Sequence, residues 1–113
     1  MAGKFVLSKT SNDKFHFVLK ARNGEVILQS QMHAERADAE SAIEAVRTSA
    51  ADAARFEKSL SKRGEPYFSL TSAGGQIIGM SEMYSSERAR DNGIESVRNN
   101  APDAKFEDNT ASG

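Results

Sequence analysis

Residues 15–53 read FHFVLKARNGEVILQSQMHAERADAESAIEAVRTSAADA, and residues 66–104 read PYFSLTSAGGQIIGMSEMYSSERARDNGIESVRNNAPDA. Laid over one another at a shift of 51, without a gap, they agree at thirteen of 39 positions. The identical pairs are Phe17/Phe68, Leu19/Leu70, Gly24/Gly75, Ile27/Ile78, Ser30/Ser81, Met32/Met83, Ile43/Ile94, Glu44/Glu95, Val46/Val97, Arg47/Arg98, Ala50/Ala101, Asp52/Asp103 and Ala53/Ala104. Phe5 and Phe56 keep the same offset upstream. The chain is therefore a tandem of two units, each roughly 50 residues long. Two copies are too few for a solenoid, which needs about three units to bury its faces. Each unit alone would bury little surface. A single pseudo-two-fold domain over residues 1–108 is expected, with repeat one at about 3–53, repeat two at about 54–108, and 109–113 as a frayed tail.

The period inside each unit changes from two to 3.6. Phe15, Phe17 and Leu19 alternate with His16, Val18 and Lys20, and Phe68 and Leu70 alternate with Tyr67, Ser69 and Thr71, as half-buried strands do. Asn23-Gly24 and Gly74-Gly75 follow, read as tight two-residue hairpin turns, and Val26-Ile27-Leu28 and Gln76-Ile77-Ile78 as the return strands. Upstream, Phe5 and Leu7 alternate with Val6 and Ser8; the second copy puts Lys58 where Leu7 stood, which predicts an edge position or a bulge. Ala39, Ala42, Ile43, Val46 and Ala50 then form one helical stripe, repeated by Gly93, Ile94, Val97 and Ala101. Ser85 is the expected N-cap of the second helix, with Glu87 favourably placed in its first turn; Ala34, its counterpart, has no side chain to cap with. Pro102 stops that helix. Gly93 at the position of Ala42 points to close packing, since glycine costs about 1 kcal/mol against alanine in a helix. After each helix, Phe56-Glu57 or Phe106-Glu107 is long enough for one more strand.

Gly3-Lys4-Phe5-Val6-Leu7-Ser8-Lys9, Phe17-Val18-Leu19-Lys20, Asn23-Gly24-Glu25, the segment Ser81-Glu82-Met83-Tyr84-Ser85-Ser86 and Asn92-Gly93-Ile94-Glu95-Ser96-Val97 together resemble the YegP-like family, a small bacterial group with no assigned biochemical function. The resemblance covers essentially the whole chain. It implies an α+β fold of two β(3)-α-β motifs sharing one largely antiparallel sheet, with two helices and with the C-terminal strands exchanged between halves. Some members carry one motif and assemble as dimers, so this tandem resembles a fused dimer and would be a monomer with an internal pseudo-dimer. The first copy departs at Gln31-Met32-His33-Ala34 and at Ala51, where the family tends to show Tyr, Ser and Pro. The resemblance brings no catalytic residues with it.

Composition narrows the chemistry. The 113 residues carry 15 basic and 16 acidic side chains, a net charge of -1, with 38% hydrophobic residues and no cysteine. Disulfides, thiolate zinc sites and a cysteine nucleophile are excluded. No run approaches the roughly 20 apolar residues of a membrane span, and the start lacks a signal-peptide core; a cytoplasmic protein is expected. His16 on a strand and His33 before a helix have no partners at metal-ligand spacing, so no metal or cofactor is expected. Ser8, Ser30 and Ser81 lie in no nucleophile elbow, and Gly74-Gly75 lacks the Lys-Ser/Thr of a phosphate loop. Glu44 and Glu95 could pair across the pseudo-dyad as acid and base. Each also stands three residues before an arginine, which is ordinary helix support.

Charge is segregated along the chain. Residues 1–22 hold Lys4, Lys9, Lys14, Lys20 and Arg22 against Asp13, and residues 55–63 hold Arg55, Lys58, Lys62 and Arg63 against Glu57; the first helical segment is acidic. If both helices cover one face of the sheet, the other presents His16, Lys20, Tyr67 and Thr71. The reading that follows is a small non-enzymatic binding or interaction module whose partner is unknown, a protein being one candidate. The alternative is weak, salt-dependent binding of single-stranded nucleic acid, with Lys14, Lys20, Arg22, Lys62 and Arg63 as the basic surface.

Overall fold

The structure is a computed structural model and describes residues 3–110. Its elements run β1 (Lys4–Lys9), β2 (Phe15–Lys20), β3 (Val26–Gln29), α1 (Arg36–Ser49), a 3₁₀ turn (Ala53–Arg55), β4 (Phe56–Leu60), β5 (Pro66–Thr71), β6 (Ile77–Met80), α2 (Glu87–Asn100) and β7 (Lys105–Asp108). All seven strands make one sheet in the order β4-β5-β6-β3-β2-β1-β7. Five neighbouring pairs are antiparallel, among them the central one, where β3 and β6 touch through Gln29 and Met80; β7 alone runs parallel to its neighbour, β1. None of the described helices is long and apolar enough to cross a membrane.

Both helices lie on one face. Phe5, Leu7, Phe17, Leu19, Leu28, Phe68 and Leu70 point from the strands into a core closed by Ala39, Ile43, Val46 and Ala50 of the first helical segment and by Ile94, Val97 and Ala101 of the second. Each buried Phe or Leu contributes roughly 1.5–3 kcal/mol, and neither repeat could bury its half alone. The period-two and period-3.6 stripes converge on this one core.

Local chemistry sets the turns. The hairpin turns are not two-residue ones: Ala21 N–H donates to Glu25 O at 2.8 Å and Gly24 N–H to Ala21 O at 2.9 Å, which leaves three residues in the loop. Gly24 closes it at φ 89°, and the strand pair shifts register between Leu19 and Lys20, the bulge that such loops carry. The same bonding recurs at 61–65 and 72–76, and at 10–14 with Asp13 (φ 60°) in the glycine position. The cap of α2 is Ser86 rather than Ser85, its hydroxyl accepting from Ala89 N–H at 3.1 Å; at the equivalent place in α1, Glu35 makes no such bond. At the start of the expected tail Asn109 N–H donates to Leu7 O at 2.8 Å, and Arg36 donates to Thr110 Oγ1 at 2.7 Å. The rest of the expected tail, 111–113, lies outside the described residues.

Gly93 has the packing reason its cost demanded. A Cβ there would stand 2.3 Å from Tyr84 Oη, and the Tyr84 ring stacks on Phe68 at 6.2 Å. In the first repeat the matching ring is His33, stacked on Phe17 at 6.5 Å, and Ala42 occupies the helix position. The larger phenol goes with glycine and the shorter imidazole with alanine. Gly93→Ala should therefore lower stability by up to about 2 kcal/mol, since overpacking of about 1–3 kcal/mol is set against a gain of about 1 kcal/mol in helix propensity. Adding Tyr84→His should recover most of the loss in urea unfolding; strictly additive effects would show that the two positions do not share this contact.

Candidate functional site

The five basic residues singled out from the sequence do not form one patch. Lys14 precedes β2 and Lys20 ends it, so they lie roughly 20 Å apart at about 3.3 Å per residue. Lys62 and Arg63 occupy the β4–β5 turn. Three antiparallel steps separate β2 from β5, which puts that turn at the Lys20 end of the sheet, about 14 Å away across three strand spacings. Arg22 is on the helix side, a wall of a groove it shares with Glu95, Asn99 and Asp103. Lys20 is on the uncovered face, close enough to Glu107 for its charge to be felt there. Thr71, expected beside it, is 6% exposed and donates its hydroxyl to Arg55 O at 3.0 Å, past a bulge that breaks the alternation.

The acid–base candidates are also apart in function. Glu44 accepts from Arg47 at 3.3 Å and Glu95 from Arg98 at 3.2 Å, each within its own helix and each turned to solvent. Glu44 lines a hollow beside Phe106, and Glu95 lines two others, beside Arg22 and beside Phe56; among the described residues no group of three or more His, Asp or Glu could hold a metal ion. Ser30 and Ser81 are committed to the backbone, accepting from Phe17 and Phe68 N–H at 2.8 and 3.0 Å.

What the repeats do not share is the edge of the sheet. At one end β7 lies parallel to β1, pairing Phe106 with Phe5 and Glu107 with Val6. Lys4 Nζ bonds Glu107 at 2.9 Å, and Arg36, at the start of α1, bonds Asp108 at 2.6 Å. Phe106 forms one wall of a hollow of about 310 Å³, with Glu40, Ile43, Glu44 and Arg47 of α1 as the others. A shift of 51 turns those four residues into Asp91, Ile94, Glu95 and Arg98 of α2. They line a matching hollow of about 300 Å³ with Phe56 and Lys58 of β4, and no described strand lies over it.

The reason is in residues 55–58. Arg55-Phe56-Glu57-Lys58 follows α1 as Lys105-Phe106-Glu107-Asp108 follows α2, yet it also matches Lys4-Phe5-Val6-Leu7. The structure gives it the second role. Phe56 meets Phe68 edge to face at 5.7 Å, as Phe5 meets Phe17 at 5.9 Å, and β4 pairs antiparallel with β5. The strand after each helix thus joins the other half, but only β7 adds to a completed three-stranded unit. Ser61 N–H donates to Glu65 O at 2.9 Å, which turns residues 57 and 59 towards β5 and the backbone of Lys58 and Leu60 outwards. Lys58 is on the edge expected of it, and its ammonium covers Asp91 at 3.2 Å, holding that carboxyl below its ordinary range.

The comparisons fit this architecture. The pattern of a domain of unknown function (DUF1508) matches twice, at residues 10–57 and 61–108, so its first copy ends inside β4 and its second with β7. The chain belongs to the YegP-like family. It is 50% identical over 110 residues to a UPF0339 protein of Shewanella oneidensis, covering 97% of this chain and all of that one. It is 46% identical over 110 residues to UPF0339 protein YegP of Escherichia coli O157:H7, with the same coverage. The solution structure of YegP from E. coli superposes with a TM-score of 0.94 at 44% identity, covering 100% of this chain and 97% of that one; that of the S. oneidensis protein gives 0.90 at 50%, covering 96% and 92%. These relatives are uncharacterised, and none brings an assigned function to the YegP-like chain.

The ion pairs on β7 make its docking sensitive to acid. The Arg36 guanidinium, followed by Thr110, holds the Asp108 carboxyl well below the usual range, and Glu107 is lowered chiefly by Lys4, with smaller help from Asn109 and Lys20. A carboxylate lowered in the folded state stabilises fully above its unfolded pKa, about 4, and progressively less as pH falls towards the native value. Amide exchange of residues 105–110 should therefore accelerate, after correction for intrinsic rate, between about pH 4 and pH 2, and Asp108→Asn should flatten the change. An unchanged profile in that variant would place the sensitivity elsewhere.

Proposed function

We propose that the protein is a non-enzymatic binding module that recognises its partner at the open β4 edge. One observation carries the reading: the chain fills the α1 groove beside β1 with its own β7 and leaves the equivalent α2 groove beside β4 uncovered by any described strand. Outward backbone donors and acceptors next to a hollow that combines Phe56 and Ile94 with charged side chains are what a bound strand needs, the first for affinity and the second for specificity. The identical charged pairs of the two repeats, Glu44–Arg47 and Glu95–Arg98, are each satisfied within a helix, which supports a structural place for them.

Single-stranded nucleic acid on the uncovered sheet face is less well supported. The basic residues divide between two ends and two sides of the sheet, and Glu57 and Glu107 interrupt them. Tyr67 and His16, the rings of that face, stand on β5 and β2 with two strands between them. Successive bases stack on closely spaced rings.

The edge reading is tested by comparing two amides at equivalent positions, Leu7 in the β1–β7 ladder and Lys58 on β4. In native-state hydrogen exchange of the dilute full chain, Lys58 should exchange at least about tenfold faster than Leu7 relative to their unpaired rates, a difference of roughly 1.4 kcal/mol in protection. Equal protection would mean that β4 is already paired, and the reading would fall.

A further inference from the structure

Resting on the edge reading, we infer that the partner is an extended peptide running parallel to β4, with an aromatic residue, then an acidic one, then a basic one. The filled groove supplies the template. There the strand enters parallel, places Phe106 against α1, sets Glu107 on Lys4 at 2.9 Å and sets Asp108 on Arg36 at 2.6 Å.

Carrying that strand across the repeat changes its charges in a definite way. Ile94, Glu95 and Arg98 repeat the wall that Phe106 meets, so an aromatic ring fits the hollow between α2 and β4. Arg55 matches Lys4 at the shift of 51, at the end of the 3₁₀ turn with its guanidinium 3.6 Å from Asp52, so an acidic residue after the ring would share that cation. Glu87, the first residue of α2, stands where Arg36 stood at the start of α1. An Asp in the third place would meet a carboxylate, and a Lys or Arg would meet a partner. The groove that β7 fills and the one it leaves open therefore select different strands, which keeps the chain's own segment from being the best occupant of the second site.

The probes are two eight-residue peptides: the segment 103–110 of this chain, and the same segment with Asp108→Lys. Each is titrated into the labelled full chain at low salt, and amide shifts are followed by NMR. The Asp108→Lys peptide should move Phe56, Lys58 and Leu60 together with Asp91, Ile94, Glu95 and Arg98, and should bind about threefold or more tightly than the unmodified one, the size expected of one exposed ion pair replacing a repulsion. Replacing Phe106 by Ala in the peptide should abolish the shifts. In the protein, Lys58→Pro removes the outward N–H, which an edge strand tolerates, and should also abolish them, whereas Lys62→Gln, in the β4–β5 turn beyond the hollow, should leave them. Shifts that survive in a folded Lys58→Pro variant, or that Lys62→Gln abolishes, would overturn the backbone docking.

Three results would overturn the inference. If neither peptide shifts the edge although the Lys58 amide exchanges fast, the edge is open but takes a different partner. If the peptides bind with equal strength, the charge rule fails. If the same residues shift with protein concentration alone, the occupant is a second copy of this chain rather than a peptide of this kind.

Discussion

One stretch of backbone cannot pair in two places at once. Residues 55–58 resemble both the strand that opens a repeat and the strand that closes one, and the fold uses them to open the second. Seven strands rather than eight follow, with β7 added to one edge and nothing described added to the other. The ring packing explains the choice. Phe56 is partly buried against the core on Phe68, whereas Phe106 of β7 stays 44% exposed, and neither β4 nor β7 contains a buried residue. Packing against the core gains part of the roughly 1.5–3 kcal/mol of a fully buried large apolar side chain, and a more exposed edge strand offers less. Given one segment for two tasks, the core wins.

The same constraint divides the molecule into an interior that the two halves share and two unlike ends. Inside, the halves repeat each other closely enough that a change of ring in one place, His33 for Tyr84, is matched by a methyl in another, Ala42 for Gly93. At the ends, Lys4 and Arg36 hold β7 through Glu107 and Asp108, while the equivalent start of α2 carries Glu87 and the equivalent strand carries Lys58 in place of Leu7. Lys58 also does what edge strands need, placing a charge on a row of free backbone groups that would otherwise invite aggregation.

Much of this was legible from periodicity alone. The two stripes in each repeat name most of the core, Gly93 announces a close contact, and Lys58 announces an edge, because each follows from local spacing or from a residue that its surroundings must excuse. The YegP-like resemblance added the shared sheet and the strand exchange. What escaped depends on geometry that spacing does not carry. Two adjacent serines can each cap a helix, and only the backbone direction selects Ser86. A glycine in a turn does not reveal whether two residues or three form the loop, and the resulting bulge is what buries Thr71 against Arg55. Basic residues that are neighbours in sequence leave the pleat at turns, so Lys14, Lys20 and Arg22 part company. Nor does the chain advertise the bonds from Arg36 to Asp108, 72 residues away, and to Thr110.

The central claim is that β7 is an addition to a core that stands without it, and that its absence would make the two edges alike. The most direct measurement is residue-resolved hydrogen exchange on the chain ending at Ala104, beside the full chain. The account expects the truncated chain to keep its core protection at Phe17, Leu19, Phe68 and Leu70, while the Leu7 amide falls to the level of Lys58. Leu7 keeping its protection after truncation, or the core amides opening together with it, would contradict the account.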